Sequence, residues 1–148
     1  MDDREARQDV LRLLAGVQRA PEQPFPGGAD EQELADLERR LGGPLPAVLV
    51  DWLRVCKGEA ICAGGVYGAR PDRASLDIAE RLALYPRWRE FGWLPVAGDG
   101  CGNVYVLLTR GELAGQVAFV DTMADADGIE AVEADSLWTF LRSLLIRG

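Results

Sequence analysis

The chain has 148 residues, 48% of them hydrophobic and 27% charged, with 24 acidic against 16 basic side chains and a net charge of minus 8. That length is close to one domain at about 150 residues each, and the composition suffices for a sizeable core. The acidic balance argues against a groove for the nucleic-acid backbone, and the complete absence of histidine removes the usual general base and the commonest zinc ligand.

In chain order, the N-terminal residues Met1, Asp2, Asp3, Arg4 and Glu5 lack the apolar core of a signal peptide, so the chain reads as cytoplasmic. Residues 9–17 carry Val10, Leu13, Leu14 and Val17 at helical spacing and predict a short amphipathic helix. Residues 21–28 hold three prolines and two glycines, cannot continue a helix, and read as a linker within the domain. Asp30 is placed to cap the next helix, with Glu33 reaching back to close a capping box. Leu34, Leu37 and Leu41 form its apolar stripe, and Gly42 and Gly43 stop it. Pro46 restarts the chain in a first helical turn, and Val48, Leu49, Trp52, Leu53 and Cys56 follow on one face until Gly58.

Beyond Gly58 the pattern changes to short β-like runs at residues 60–63, 93–96, 104–108, 117–121 and 129–133. A helix is expected from Ser75 or Asp77, carrying Leu76, Ala79, Leu82 and Ala83. The last helix opens at Asp135 or Ser136 and places Leu137, Phe140, Leu141, Leu144 and Leu145 on one face. Turn signals around Asp99 and Gly111 favour hairpins over crossovers, giving an α+β fold with a largely antiparallel central sheet flanked by helices. Residues 104–108 and 117–120 are apolar on both faces, so a second cover is needed, from a partner or from the chain itself. The expected core includes Leu34, Leu37, Leu41, Leu49, Trp52, Leu53, Val106, Phe119, Phe140 and Leu144. No apolar run approaches the roughly 18 residues that span a bilayer.

Four blocks, in this order, resemble the SUKH superfamily, also called the Smi/Knr family. The first is Asp30 to Leu34 with Leu37, Glu38, Leu41, Gly42, Leu45 and Pro46. The second is Trp52 and Leu53 leading to Lys57 and Gly58, where the family usually shows Asn-Gly. The third and most specific is Trp93 to Ala97 with Asp99, Gly100, Cys101, Gly102 and Asn103. The last is Asp135, Ser136 and Leu137 with Phe140 and Leu141. The resemblance runs over residues 29–145 of a single domain, with residues 1–28 as N-terminal helix and linker. It implies a non-catalytic α+β binding domain, in bacteria most often an immunity protein that neutralises a cognate toxin. Eukaryotic relatives suggest the alternative of a regulatory or scaffold domain with an endogenous partner.

The remaining motifs carry little chemistry of their own. The run Gly98 to Asn103 is followed by a strand rather than by the helix that a phosphate cradle needs, so it reads as a hairpin turn. Residues 123–128 resemble part of a calcium loop, but Met123 and Ala134 stand where carboxylates are required. Cys56, Cys62 and Cys101 fit neither a disulfide framework nor a metal knuckle, and no histidine is present to activate a thiol. No nucleophile–base set appears, which leaves a carboxylate-dependent hydrolase as the weakest of the readings. No cofactor or metal is expected.

Charge is the informative feature. Residues 1–110 hold 17 acidic and 14 basic groups, whereas residues 111–148 hold 7 and 2, with no basic residue between 111 and 141. Asp99, Tyr105, Asp121, Asp125, Asp127, Glu130 and Glu133 are therefore the candidate partner-binding residues. Tyr105 is the candidate anchor, and the expected partner is a basic toxin domain such as a nuclease.

Overall fold

Asp2 accepts a hydrogen bond from the Glu5 N–H at 2.8 Å and caps helix α1 (Asp3–Ala15), which begins well before residue 9. The computed structural model describes residues 1–16 and 27–147. Val17 and residues 21–26 of the expected linker lie outside the described residues. Ala6, Val10 and Leu14 are buried, while Leu13 is only half-buried, so the apolar stripe follows the i, i+4, i+8 positions.

Helix α2 (Glu31–Leu41) has the expected capping box. Asp30 accepts from the Glu33 N–H at 2.8 Å, Glu33 accepts from the Asp30 N–H at 3.1 Å, and Gly42 ends the helix at φ +83°. Helix α3 (Ala47–Leu53) stops earlier than its apolar face suggests. Its exit is fixed by backbone bonds from Ala29 N to Leu53 O and from Lys57 N to Gly27 O, both 2.8 Å, which draw the chain away from the helix axis. Lys57, standing where the family pattern has Asn, pairs with Glu33 at 2.8 Å, and Gly58 makes the turn at φ +121°.

Residues 60–63 form no strand. The segment holds only single-residue bridges, Glu59 to Val66 and Val66 to Ala97. Gly64 lies so close to the sheet that a Cβ there would sit 2.1 Å from the Gly98 carbonyl carbon, a distance no side chain tolerates. A 3-10 turn (Ala74–Leu76) leads into α4 (Ile78–Ala83), capped by Asp77, and α5 (Trp88–Phe91) follows.

The sheet has the order β1 (Trp93–Gly98), β2 (Val104–Leu108), β3 (Val117–Val120), β4 (Ala131–Ala134), with every pair antiparallel. Between β3 and β4 lies the single turn of α6 (Thr122–Asp125), and α7 (Leu137–Arg147) closes the fold. The result is an α+β architecture with a four-stranded antiparallel sheet among the described residues.

Both faces of the central strands are covered from within the chain. Tyr105 meets Phe140 of α7 with ring centroids 4.9 Å apart. On the opposite face Trp93, paired with Leu108, meets Trp88 of α5 at 5.8 Å. No partner is needed to complete the core, which answers the question left by the two-sided apolar strands. α1 packs along α7, with Asp9 and Arg142 paired at 2.7 Å, and Trp52 stands edge-on to Trp138 at 5.7 Å. Of the expected core residues, Leu41 and Phe119 are only partly buried and the others are buried.

Candidate functional site

Register brings the candidate carboxylates to one end and one edge of the sheet. Gly98 pairs with Val104 and Val104 with Val120, so Asp99 and Asp121 leave the sheet at the same end. The two turns are tied together: Thr122 N donates to Asn103 Oδ1 at 3.2 Å, and Thr122 Oγ1 donates to Gly102 O at 2.9 Å. Glu130 N donates to Phe119 O at 2.9 Å, which starts β4 beside Asp121, and Glu133 continues along this outer strand.

Each carboxylate has a different local task. Asp99 accepts from the N–H groups of Cys101 (2.7 Å) and Asn103 (3.0 Å) and from the Asn103 side-chain amide (3.0 Å). Burial pushes its carboxyl up, but these bonds outweigh burial and hold it below its ordinary value. Gly100 and Gly102, at φ +85° and +94°, supply the left-handed geometry of the turn. The run Gly98 to Asn103 is thus a self-satisfied hairpin connection.

Asp121 accepts from Met123 N and Ala124 N, both at 3.1 Å, and caps α6. The segment with the partial calcium pattern is therefore a capped helical turn, and Asp125 accepts from Asp127 N at 3.0 Å. Asp127 pairs with Arg87 at 3.4 Å; both side chains are half exposed, which makes this a weak and exchangeable pair. Glu130 and Glu133 are exposed, and among the described residues their carboxylates make neither hydrogen bond nor ion pair.

Tyr105 is only 8% exposed, its ring packed between Phe119 (5.3 Å) and Phe140 (4.9 Å). Burial is the main reason its phenol is pushed up, with the charges of Glu133 and Asp99 adding to it against Arg147. What reaches the surface borders a hollow of about 280 Å³ with Cys62, Asp99, Leu144 and Arg147. Tyr105 thus stands behind the acidic end and helps to hold β3 and α7 in place.

Two residues that shape this end carry no local sequence signal. Arg87 meets Asp127 across 40 residues, and the Trp88 indole N–H donates to Ala126 O at 2.6 Å, fixing the loop after α6. Both contacts depend on the placement of α5 against the sheet. Among the described residues no helix is long and apolar enough to cross a membrane, and no group of His, Cys, Asp or Glu is arranged to hold a metal ion.

A family model described as SMI1 / KNR4 family (SUKH-1) matches residues 28–143. Comparison with curated proteins gives no match.

Proposed function

The chain belongs to the SMI1 / KNR4 family (SUKH-1), and from that premise we propose that it is a protein-binding module, an immunity protein that neutralises a basic bacterial toxin by covering its active site. The observation that carries this reading is the acidic end and edge of the sheet, where the exposed Asp127–Arg87 contact is the one ion pair made by these carboxylates among the described residues. Asp99, Asp121, Asp125, Asp127 and Glu130 lie around that end, with Glu133 further along the β4 edge, and all but Asp99 come from residues 111–141, which contain no basic side chain. Like charges held this close repel one another, and a basic partner relieves that repulsion on docking.

The capped carboxylates Asp99, Asp121 and Asp125 are held in fixed positions by backbone N–H groups, so they meet a partner with little side-chain entropy left to lose. Glu130 and Glu133 stand free on the outer strand. Val132, 45% exposed between them, adds an apolar contact. The protein acts by occupancy rather than by chemistry, a reading supported by a sequence without histidine. Its place of action on this account is the cytoplasm of a cell that receives the toxin from a neighbour.

The test starts from the genes beside its own. A secreted multidomain toxin encoded there is expressed with and without this chain. Restored growth and a stoichiometric complex are the expected results. Failure to bind that toxin, or the absence of any toxin gene together with capture of a housekeeping protein, favours the regulatory reading instead.

A further inference from the structure

At the other end of β1 and β2, where Trp93 pairs with Leu108, a cleft of about 250 Å³ opens between the α2–α3 turn, α5 and the residues after β2. Its lining mixes apolar side chains, Leu45, Trp88, Trp93 and Leu94 among them, with backbone, threonine and arginine groups, and no carboxylate lines it. Arg89 and Arg110 flank it.

Both arginines are anchored by backbone carbonyls. Arg89 donates to the carbonyls of Leu41 and Arg40 at the end of α2. Arg110 donates to those of Glu90 (2.9 Å) and Arg89 (2.6 Å) at α5. Among the described residues neither guanidinium pairs with a carboxylate, unlike Arg39, Arg40 and Arg87 nearby. Capping the helix ends explains two donors of each side chain. A guanidinium has five, so three on each remain beside an apolar cleft with no counter-charge.

Gly92, at φ +76°, contributes to the construction. A Cβ there would lie 2.8 Å from Arg110 Nε and 2.8 Å from Thr109 Oγ1, so the glycine leaves room for the Arg110 side chain to cross it. Thr109 Oγ1 donates to Gly92 O at 2.6 Å and fixes that backbone.

Two anchored cations over tryptophan and leucine walls, on a protein of net charge minus 8, select a ligand that is anionic and apolar at once. The cleft is open and smaller than the roughly 300–1,000 Å³ of small-molecule sites, so it suits one side chain of a larger partner rather than an enclosed cofactor. We propose that it is a second protein-docking site, taking an acidic segment of a partner: one large apolar side chain lodges against Trp93 and Leu94 while flanking carboxylates bind Arg89 and Arg110. This site is opposite in charge to the acidic surface and is separated from it by Trp88, and it stands whether or not a toxin is the partner there.

The probe is the acetylated, amidated peptide Glu-Glu-Phe-Glu-Glu, added to the full chain with amide and indole resonances followed by NMR. Saturable shifts are expected at Gly92, Trp93, Leu94 and Arg110, and the Lys-Lys-Phe-Lys-Lys peptide should leave them unmoved. The double variant Arg89→Gln, Arg110→Gln should weaken the acidic peptide at least tenfold. Because that variant also gives up carbonyl bonds that hold α5, Leu94→Glu serves as a second test, placing a carboxylate in the cleft without removing them, with the same loss expected. The proposal is overturned if the acidic peptide leaves these resonances unmoved or if Leu94→Glu binds it as wild type does. It is equally overturned if the lysine peptide binds there as well as the acidic one, or if phenylacetate binds as tightly, which would assign the cleft to small free acids.

Discussion

Asp77 is fully buried and joins three parts of the chain, so its removal tests the packing logic most severely. Its carboxylate accepts two bonds from Arg40 of α2, one from Arg70 N at 2.8 Å and one from Glu80 N at 3.0 Å, the last being the cap of α4. Asp77→Ala strands two backbone donors, at about 1–3 kcal/mol each when left unsatisfied. The Arg40 side chain is 25% exposed, so its guanidinium rehydrates and adds less than a sealed ion would. A loss of about 3–4 kcal/mol follows, near the 3–5 kcal/mol typical of breaking a buried pair and a large part of the roughly 5–15 kcal/mol that holds a domain together. In urea, with a slope of about 2 kcal/mol per molar, the midpoint should fall by about 1.5–2 M without a change of slope. Arg40→Met should be costly alone yet markedly sub-additive with Asp77→Ala, since the two residues act as one unit. A midpoint shift under about 0.5 M, or strict additivity, would show that the Asp77 contacts do not join these segments energetically.

Other expectations follow from single sites. Trp52→Ala should cost about 3–5 kcal/mol, as its ring is fully buried against Trp138. Trp52→Phe should cost clearly less, because the indole N–H it removes is buried without a partner among the described residues, and equal losses in chemical denaturation would contradict this. Asp99 has a depressed carboxyl in the fold, so its contribution is complete above the ordinary carboxylate range and is lost as pH falls through the lower folded value. The stability gap between wild type and Asp99→Ala should therefore close on acidification, and a gap constant with pH would refute the role given to its hydrogen bonds. Gly64→Ala should detach the 59–66 segment from β1, read as faster amide exchange at Tyr67 and Gly98, which donate to Val96 O and Gly65 O across that contact, since its Cβ meets the Gly98 backbone; unchanged protection would contradict that.

What was legible in the sequence was local. Asp30, Glu33 and Gly42 announce α2 because a capping box and a left-handed glycine need only near neighbours, and the extents of β2 and α7 follow from unbroken apolar patterns. Contacts between distant segments left no such trace. Asp77 and Arg40 are 37 residues apart, and α3 is cut short by bonds to residues 27–29 that no periodicity encodes. Residues 60–63 look β-like yet form no ladder, because the glycines beside them favour close backbone contact over pairing. The acidic run was visible as composition, but its gathering at one end of the sheet required the register of β1, β2 and β3. Tyr105 looked available from its place in an apolar strand, whereas α7 covers it. The Arg89 and Arg110 cleft joins three separate segments and had no sequence signature at all.

The central claim is that the acidic end of the sheet receives a basic partner, and its most direct measurement is the association rate with the toxin domain as a function of ionic strength. Wild type is compared with the variant Asp121→Asn, Asp125→Asn, Asp127→Asn, Glu130→Gln. Charge steering is screened beyond about 10 Å at 0.1 M salt, so the wild-type rate should fall steeply with added salt. The amide variant, with its fold intact, should associate more slowly at low salt and show a flatter dependence. Equal low-salt rates for the two proteins would contradict the claim and leave the acidic end as a solvated surface.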